Sequence, residues 1–227
     1  MVFSVVKAIL IDLDGTLLDT APDLAAAANV MLARLGRPPR TLEEVKTFVG
    51  KGIARLVERC LTGDLHQRLD PAELQPALEI FREEYEKDSG MHSTVYPGVV
   101  EGLEAMKGLR LACVTNKASR FTGPLLERKG LAKYFEVVIC GDMVERGKPD
   151  PACYRLACER LGVKPSEALV IGDSENDALA ARAAGIRVFC VKYGYNEGRP
   201  VESLDCDGLL DSLHDAHVAL GRIAEGP

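Results

Sequence analysis

The chain has 227 residues, with Lys+Arg 28 against Asp+Glu 34 and a formal net charge of -6; at ~100–200 residues per domain this allows one large domain or two small ones. Hydrophobic residues at 47% and charged residues at 27% describe a globular chain with material for a core, while net acidity argues against a nucleic-acid binder, which needs a basic face. No apolar run approaches the ~20 residues that cross a bilayer, and seven scattered cysteines without a C-x-x-C pair read as buried reduced thiols rather than a disulfide framework.

Met1 to Leu10 is apolar and short, with no basic leader and no small-residue cleavage site. It reads as a strand, not a signal peptide, and the expected location is cytoplasmic. Val5 to Ile11 is a continuous apolar run broken only by Lys7. From about Leu17 to Met91 the pattern changes to helical periodicity with no convincing strand. Leu24, Ala28, Met31, Leu32 and Leu35 share one face, and Thr41 and Glu44 have capping-box spacing. Ile53, Leu56, Val57, Cys60 and Leu61 form a second stripe; Leu74, Leu78, Phe81 and Tyr85, after Pro71, form a third. Core packing accounts for all three.

Four more short apolar runs follow: Leu109 to Thr115, Val137 to Cys140, Ala168 to Gly172, and Arg187 to Val191. None alternates cleanly, as expected of strands buried on both faces. Helical patterns lie between them. One has Asp150 as N-cap and Pro151 at its first position, and stops at Gly162; another runs from about Asn176 to Ala184 and stops at Gly185. Strand alternating with helix implies an α/β fold with a doubly wound parallel sheet.

Ligands of open parallel sheets bind beyond the carboxyl ends of the strands. After the first strand stand Asp12 and Asp14, two acids at i and i+2, with Gly15 allowing a tight turn. Thr115 and Asn116 follow the second, Lys148 precedes Pro149, and Asp173 and Asp177 flank the start of a helix after the fourth. This predicts Asp12, Asp14, Asp173 and Asp177 around one spot, with Lys148 beside them. Clustered carboxylates raise one another's pKa, and a divalent cation removes that conflict. Oxygen-only ligands suit Mg2+; no His or Cys cluster offers a zinc site. His214 and His217, beside Asp211 and Asp215, lack a third ligand and read as a solvated helix face.

The segments DLDGT (Asp12 to Thr16), VTN (Val114 to Asn116), KPDP (Lys148 to Pro151) and GDSEND (Gly172 to Asp177) resemble the motifs of the haloacid dehalogenase superfamily. The resemblance spans nearly the whole chain. It implies a Rossmann-like catalytic core from residues 1–16 and 92–227, with residues 17–91 as an inserted all-helical cap. It further implies Asp12 as nucleophile forming an aspartyl-phosphate, Asp14 as general acid and then base, and Lys148 as neutraliser of the transferring group. Thr16, Thr115 and Asn116 would hold substrate, and Mg2+ would be bound by Asp12, the Asp14 carbonyl and Asp173. Asp177 would act behind them, orienting water or Lys148.

An acid two residues after the nucleophile is similar to the phosphatases and mutases of the superfamily rather than its dehalogenases or phosphonatases. Mutases resembling β-phosphoglucomutase carry a His or aromatic residues early in the cap, where this chain has Leu24-Ala25-Ala26-Ala27-Ala28-Asn29. DTAPDLAAAAN (Asp19 to Asn29), FVGKG (Phe48 to Gly52) and YGYNEG (Tyr193 to Gly198) are similar to segments of bacterial phosphoglycolate phosphatases. The expectation is hydrolysis of a small phosphorylated metabolite, 2-phosphoglycolate foremost, by a monomer or homodimer without nucleic-acid or membrane partners. Lys51 or Arg55 in the cap would meet the substrate carboxylate. The alternatives are a sugar-phosphate mutase, a broad-specificity phosphatase or pyrophosphatase, and a catalytically inactive binding module; the last would lack one of the motif residues, and all are present.

Overall fold

The computed structural model describes residues 6–225; residues 1–5, the start of the first predicted strand, and residues 226–227 lie outside the described residues. The first strand, β1 (Ala8–Ile11), leads through β2 (Leu18–Asp19) into four helices. These are α1 (Ala21–Arg34), α2 (Leu42–Phe48), α3 (Gly52–Thr62) and α4 (Pro71–Asp88). The chain returns through β3 (Thr94–Val95) to α5 (Val99–Ala105), β4 (Arg110–Val114), α6 (Ser119–Arg128), β5 (Val137–Ile139) and α7 (Ala152–Leu161). It ends with β6 (Ala168–Gly172), α8 (Glu175–Ala184), β7 (Arg187–Val191), β8 (Gly208–Leu210) and α9 (Asp215–Glu225).

All five predicted strands form, four of them within one residue of their expected ends; the first begins at Ala8, with Val6 and Lys7 outside it and Val5 outside the described residues. They join β8 in a sheet of order β5-β4-β1-β6-β7-β8 in which every pairing is parallel. Alternation along β1 assigns its side chains to two cores. Ile9 and Ile11 pack with Leu111, Cys113, Leu169 and Ile171 on the face covered by α5, α6 and α9. Ala8 and Leu10 pack with Ala112, Val114 and Val170 on the face covered by α7 and α8. Both faces are buried, so the strand sequence has no polar beat. Gly162 and Gly185 end α7 and α8 in the left-handed conformation. The start of α7 is shifted by one residue from expectation: Pro151 is the N-cap and Ala152 the first helical residue, while Asp150 Oδ1, one residue earlier, accepts from Ala152 N at 2.9 Å.

The four helices inserted after β1 enclose a third core of Leu24, Met31, Leu56, Val57, Phe81 and Tyr85, joined by Phe121 of α6 and Tyr195 beyond β7. The predicted capping box at Thr41 and Glu44 is present. Leu35, placed on the buried stripe of α1 by periodicity, is exposed, because it lies past the last helical turn. The two chain passages at the root of the insertion pair as the antiparallel ribbon β2–β3. All seven cysteines are free and six are buried. Among the described residues no helix is long and apolar enough to cross a membrane.

One buried acid fixes the return of the insertion. Asp23, in the first turn of α1, accepts from the backbone N–H of Gly90 (2.9 Å), His92 (2.7 Å) and Ser93 (2.9 Å), and from the Ser93 hydroxyl. Asp23→Ala leaves these four donors without their acceptor, three of them in buried bonds. The expected cost is roughly 3 kcal/mol, a fall in melting temperature of about 6–12 °C for a chain of this size. Thermal unfolding followed by circular dichroism measures it.

Candidate active site

Strand register builds the site. Ile11 of β1 pairs with Cys113 of β4 on one side and with Ile171 of β6 on the other. Asp12, Thr115 and Asp173 therefore stand together just past the carboxyl ends of three adjacent strands. This is the point where chain order reverses, β4 and β5 lying to one side of β1 and β6 to β8 to the other. Two glycines make room. Gly15 turns the chain at φ 91°, and a Cβ there would sit 2.1 Å from Asp173 Oδ2; a Cβ on Gly194 would sit 2.4 Å from the same oxygen.

Lys148 reaches in from the loop after β5. Its Nζ donates to Asp12 Oδ1 (2.6 Å), Asp177 Oδ1 (2.7 Å) and the Val114 carbonyl (2.9 Å), which uses all three of its donors. Asp177, in the first turn of α8, also accepts from Tyr154 Oη (2.8 Å) and Ser174 Oγ (2.9 Å). Asp173 accepts from Tyr195 N. One oxygen each of Asp12, Asp173 and Asp177 lie within 4.8 Å of one another, all buried.

The electrostatics of this cluster are unbalanced. Burial pushes the Asp12 carboxyl up to about 7, against the pull of Lys148 and with a further push from Asp177. Asp173 is raised well above the carboxylate range by burial and by the charges of Asp12 and Asp177. Asp177 is lowered: burial works against its charge, but Lys148 and the Tyr154 and Ser174 hydroxyls outweigh it. Burial likewise opposes the Lys148 charge, and Asp12 and Asp177 raise its pKa nonetheless. Three carboxylates share one ammonium, so two negative charges stay uncompensated when all are ionised. A buried oxygen-only donor set with that deficit fits a divalent cation.

Asp14 departs from the expectation of four acids at one spot. Its carboxylate turns to Lys117 Nζ (2.9 and 3.2 Å) and Thr20 Oγ1 (2.6 Å) instead of to the other three. It still lines the same cavity, of about 540 Å3 including its mouth. Asp12, Asp14, Thr115, Lys117, Lys148 and Asp173 form the polar wall, and Leu24, Val49, Ile53 and Leu56 of the inserted helices form an apolar one.

Three expected substrate contacts are not in the cavity. Thr16 is buried and does not line it; its Oγ1 has no hydrogen-bond partner among the described residues. Arg55 is 6% exposed, with its guanidinium held by Glu58 and by the Leu65 and Gln67 carbonyls. Lys51 pairs with Glu197 at 3.1 Å, the acid that also binds Arg59 at 2.6 Å. These two cations therefore tie structure together, within the insertion and between it and the loop after β7. Asn116 does likewise: its Nδ2 donates to the carbonyls of Gly50 (2.9 Å) and Lys148 (2.8 Å), and its Oδ1 accepts from Lys148 N (2.7 Å).

Lys117 and Tyr195 line the cavity without having been singled out from sequence. Lys117 directly follows the VTN segment and is a charge at the end of an apolar strand, a signal available to inspection. Tyr195 lies in YGYNEG, where nothing local marks its backbone N–H as the partner of Asp173.

The comparisons agree with this geometry. Residues 6–185 match the haloacid dehalogenase-like hydrolase family. The chain is 54% identical over 213 residues to the phosphoglycolate phosphatase of Nitrosospira multiformis, covering 93% of this chain and 94% of that one. It is 53% identical over 219 residues to that of Thiobacillus denitrificans, covering 96% of each. Among solved structures, a predicted phosphoglycolate phosphatase from Haemophilus somnus superposes with a TM-score of 0.88 at 32% identity, over 96% of this chain and 99% of the other. A parallel sheet with its acids past the strand ends, helices inserted after the first strand, and a sequence match over most of its length place the chain in the haloacid dehalogenase-like hydrolase family.

Proposed function

We propose that the protein hydrolyses 2-phosphoglycolate to glycolate and phosphate as a Mg2+-dependent phosphatase, acting in the cytoplasm as a monomer or homodimer. The carrying observation is the state of Asp12. One carboxylate oxygen is fixed by Lys148 while the other accepts no hydrogen bond among the described residues, in a cavity that also holds Asp14 two residues on. The near-full-length match to relatives bearing that name supports the substrate.

In this reading the free oxygen of Asp12 attacks phosphorus as the ester P–O bond breaks. Asp14 gives its proton to the departing glycolate oxygen. Water then attacks the phosphorus of the aspartyl-phosphate and returns a proton to Asp14, releasing phosphate and restoring Asp12. Thr115 Oγ1 and the Asn116 backbone hold phosphate oxygens, and Lys148 offsets charge on Asp12 and the transferring group. Asp12, Asp173 and the Asp14 carbonyl would hold Mg2+, which supplies charge neutralisation to acids and phosphate together. Asp177, with both oxygens engaged, acts by orienting Lys148. The apolar wall from the insertion limits water at the reacting atoms. Leu24 on that wall also favours hydrolysis over mutase chemistry, since it places no imidazole where a phosphorylated sugar would exchange its proton.

Phosphate release is expected to favour 2-phosphoglycolate over glycerol 3-phosphate, β-glucose 1-phosphate and pyrophosphate by at least tenfold in kcat/KM, about 1.4 kcal/mol. Asp12→Asn is expected to lower kcat by at least about 10⁴-fold; similar slow rates on every substrate contradict the substrate assignment. Chelation should abolish activity and Mg2+ restore it. Ca2+, larger and less demanding of octahedral geometry, should compete with Mg2+ and not support turnover; full activity in chelator contradicts the metal role.

A further inference from the structure

The carboxylate of phosphoglycolate needs a cation, and Lys51 and Arg55 do not line the cavity. The cations that do are Lys148 and Lys117. All three donors of Lys148 are committed to Asp12, Asp177 and the Val114 carbonyl. Among the described residues, Lys117 Nζ hydrogen-bonds only to the Asp14 carboxylate oxygens, at 2.9 and 3.2 Å, which leaves one of its three N–H donors for another acceptor. Its other neighbour is the face of Tyr85 on α4, with Nζ 5.2 Å from the ring centroid. The Lys117 backbone is clamped as well, N donating to Thr115 Oγ1 (3.1 Å) and O accepting from Gly141 N (3.1 Å).

The size of the substrate makes this position telling. In phosphoglycolate the ester oxygen and the carboxylate oxygens are three bonds apart, roughly 3 Å. Whatever meets the carboxylate must lie about one hydrogen bond from the group that meets the ester oxygen. Asp14 is that group in the mechanism above, and Lys117 is 2.9 Å from it. We propose that Lys117 is the specificity-determining residue of this enzyme, its free N–H binding the substrate carboxylate beside the Asp14 proton donor. The inference rests on the phosphoglycolate reading and names the contact that reading lacks. It selects short 2-phosphoryloxy carboxylates: a carboxylate one carbon further from the ester oxygen overshoots Lys117, and a sugar phosphate offers no charge there.

The test pairs a residue change with a substrate change, so that the effect of Lys117 on Asp14 cancels. Phosphoglycolate and its uncharged near-isostere phosphoglycolamide are compared as substrates of the Mg2+-loaded wild type, Lys117→Met, Lys117→Gln and Lys117→Arg. Wild type should prefer phosphoglycolate by at least about 30-fold in kcat/KM. Lys117→Met and Lys117→Gln should slow both substrates and reduce the preference to within about threefold, while Lys117→Arg keeps most of it. The glutamine variant, similar in length and polar, serves if methionine prevents folding. A variant that is slower on both substrates but keeps the wild-type preference overturns the role of Lys117 and leaves the substrate reading standing. A wild type that cleaves the amide as well as the acid overturns both.

Discussion

Three buried carboxylates compete for one lysine at the ends of three adjacent strands, and much of the molecule is organised around that conflict. Asp12, Asp173 and Asp177 lie within 4.8 Å of one another, and Lys148 pairs with only two of them. Left alone, the cluster resists ionisation, which is what the raised Asp12 and Asp173 express. A nucleophile must be ionised to attack. The chemistry of the site therefore depends on balancing charge without removing it, by a cation in the cluster and by hydrogen bonds that exhaust Asp177 and Lys148. Asp14 escapes the conflict by turning to Lys117 and Thr20.

The helical insertion is joined to this centre by direct bonds. Asn116 links the Gly50 loop to the Lys148 loop, Glu197 gathers Lys51 and Arg59 of the insertion onto the segment after β7, and Tyr195 enters the insertion's core while its N–H holds Asp173. A change in how the insertion sits would be felt by Asp173 and by the Lys148 loop.

Much of this was legible in the sequence because the strongest constraints are local. Strands buried on both faces have no polar alternation, so five of the six sheet strands stood out as apolar runs; β8 opens on Gly208 and offers only Leu209 and Leu210, and the strands of the ribbon β2–β3 have two residues each, too few to carry a pattern. Strand-end acids are visible once the strands are. What the sequence could not convey is who pairs with whom across long separations. Lys117 and Asp14 are 103 residues apart, and Arg59 and Glu197 are 138 apart. Lys51 therefore looked like an unspent cation near the substrate, when Glu197 already holds it; Arg55 was misjudged in spite of a local signal, Glu58 one turn further along the same helix. Lys117 was overlooked for the converse reason: its burial beside an acid is a tertiary fact.

The most direct test of the account is the chemical identity of the group that carries phosphate. Enzyme quenched in acid during steady-state turnover of 2-phosphoglycolate, then reduced with borohydride, converts an aspartyl-phosphate to homoserine, which peptide mass spectrometry locates. The account predicts homoserine at position 12 and no other aspartate, absent when substrate is withheld. Homoserine at another position, or an unmodified Asp12 in an enzyme that shows a pre-steady-state burst of glycolate, would contradict it.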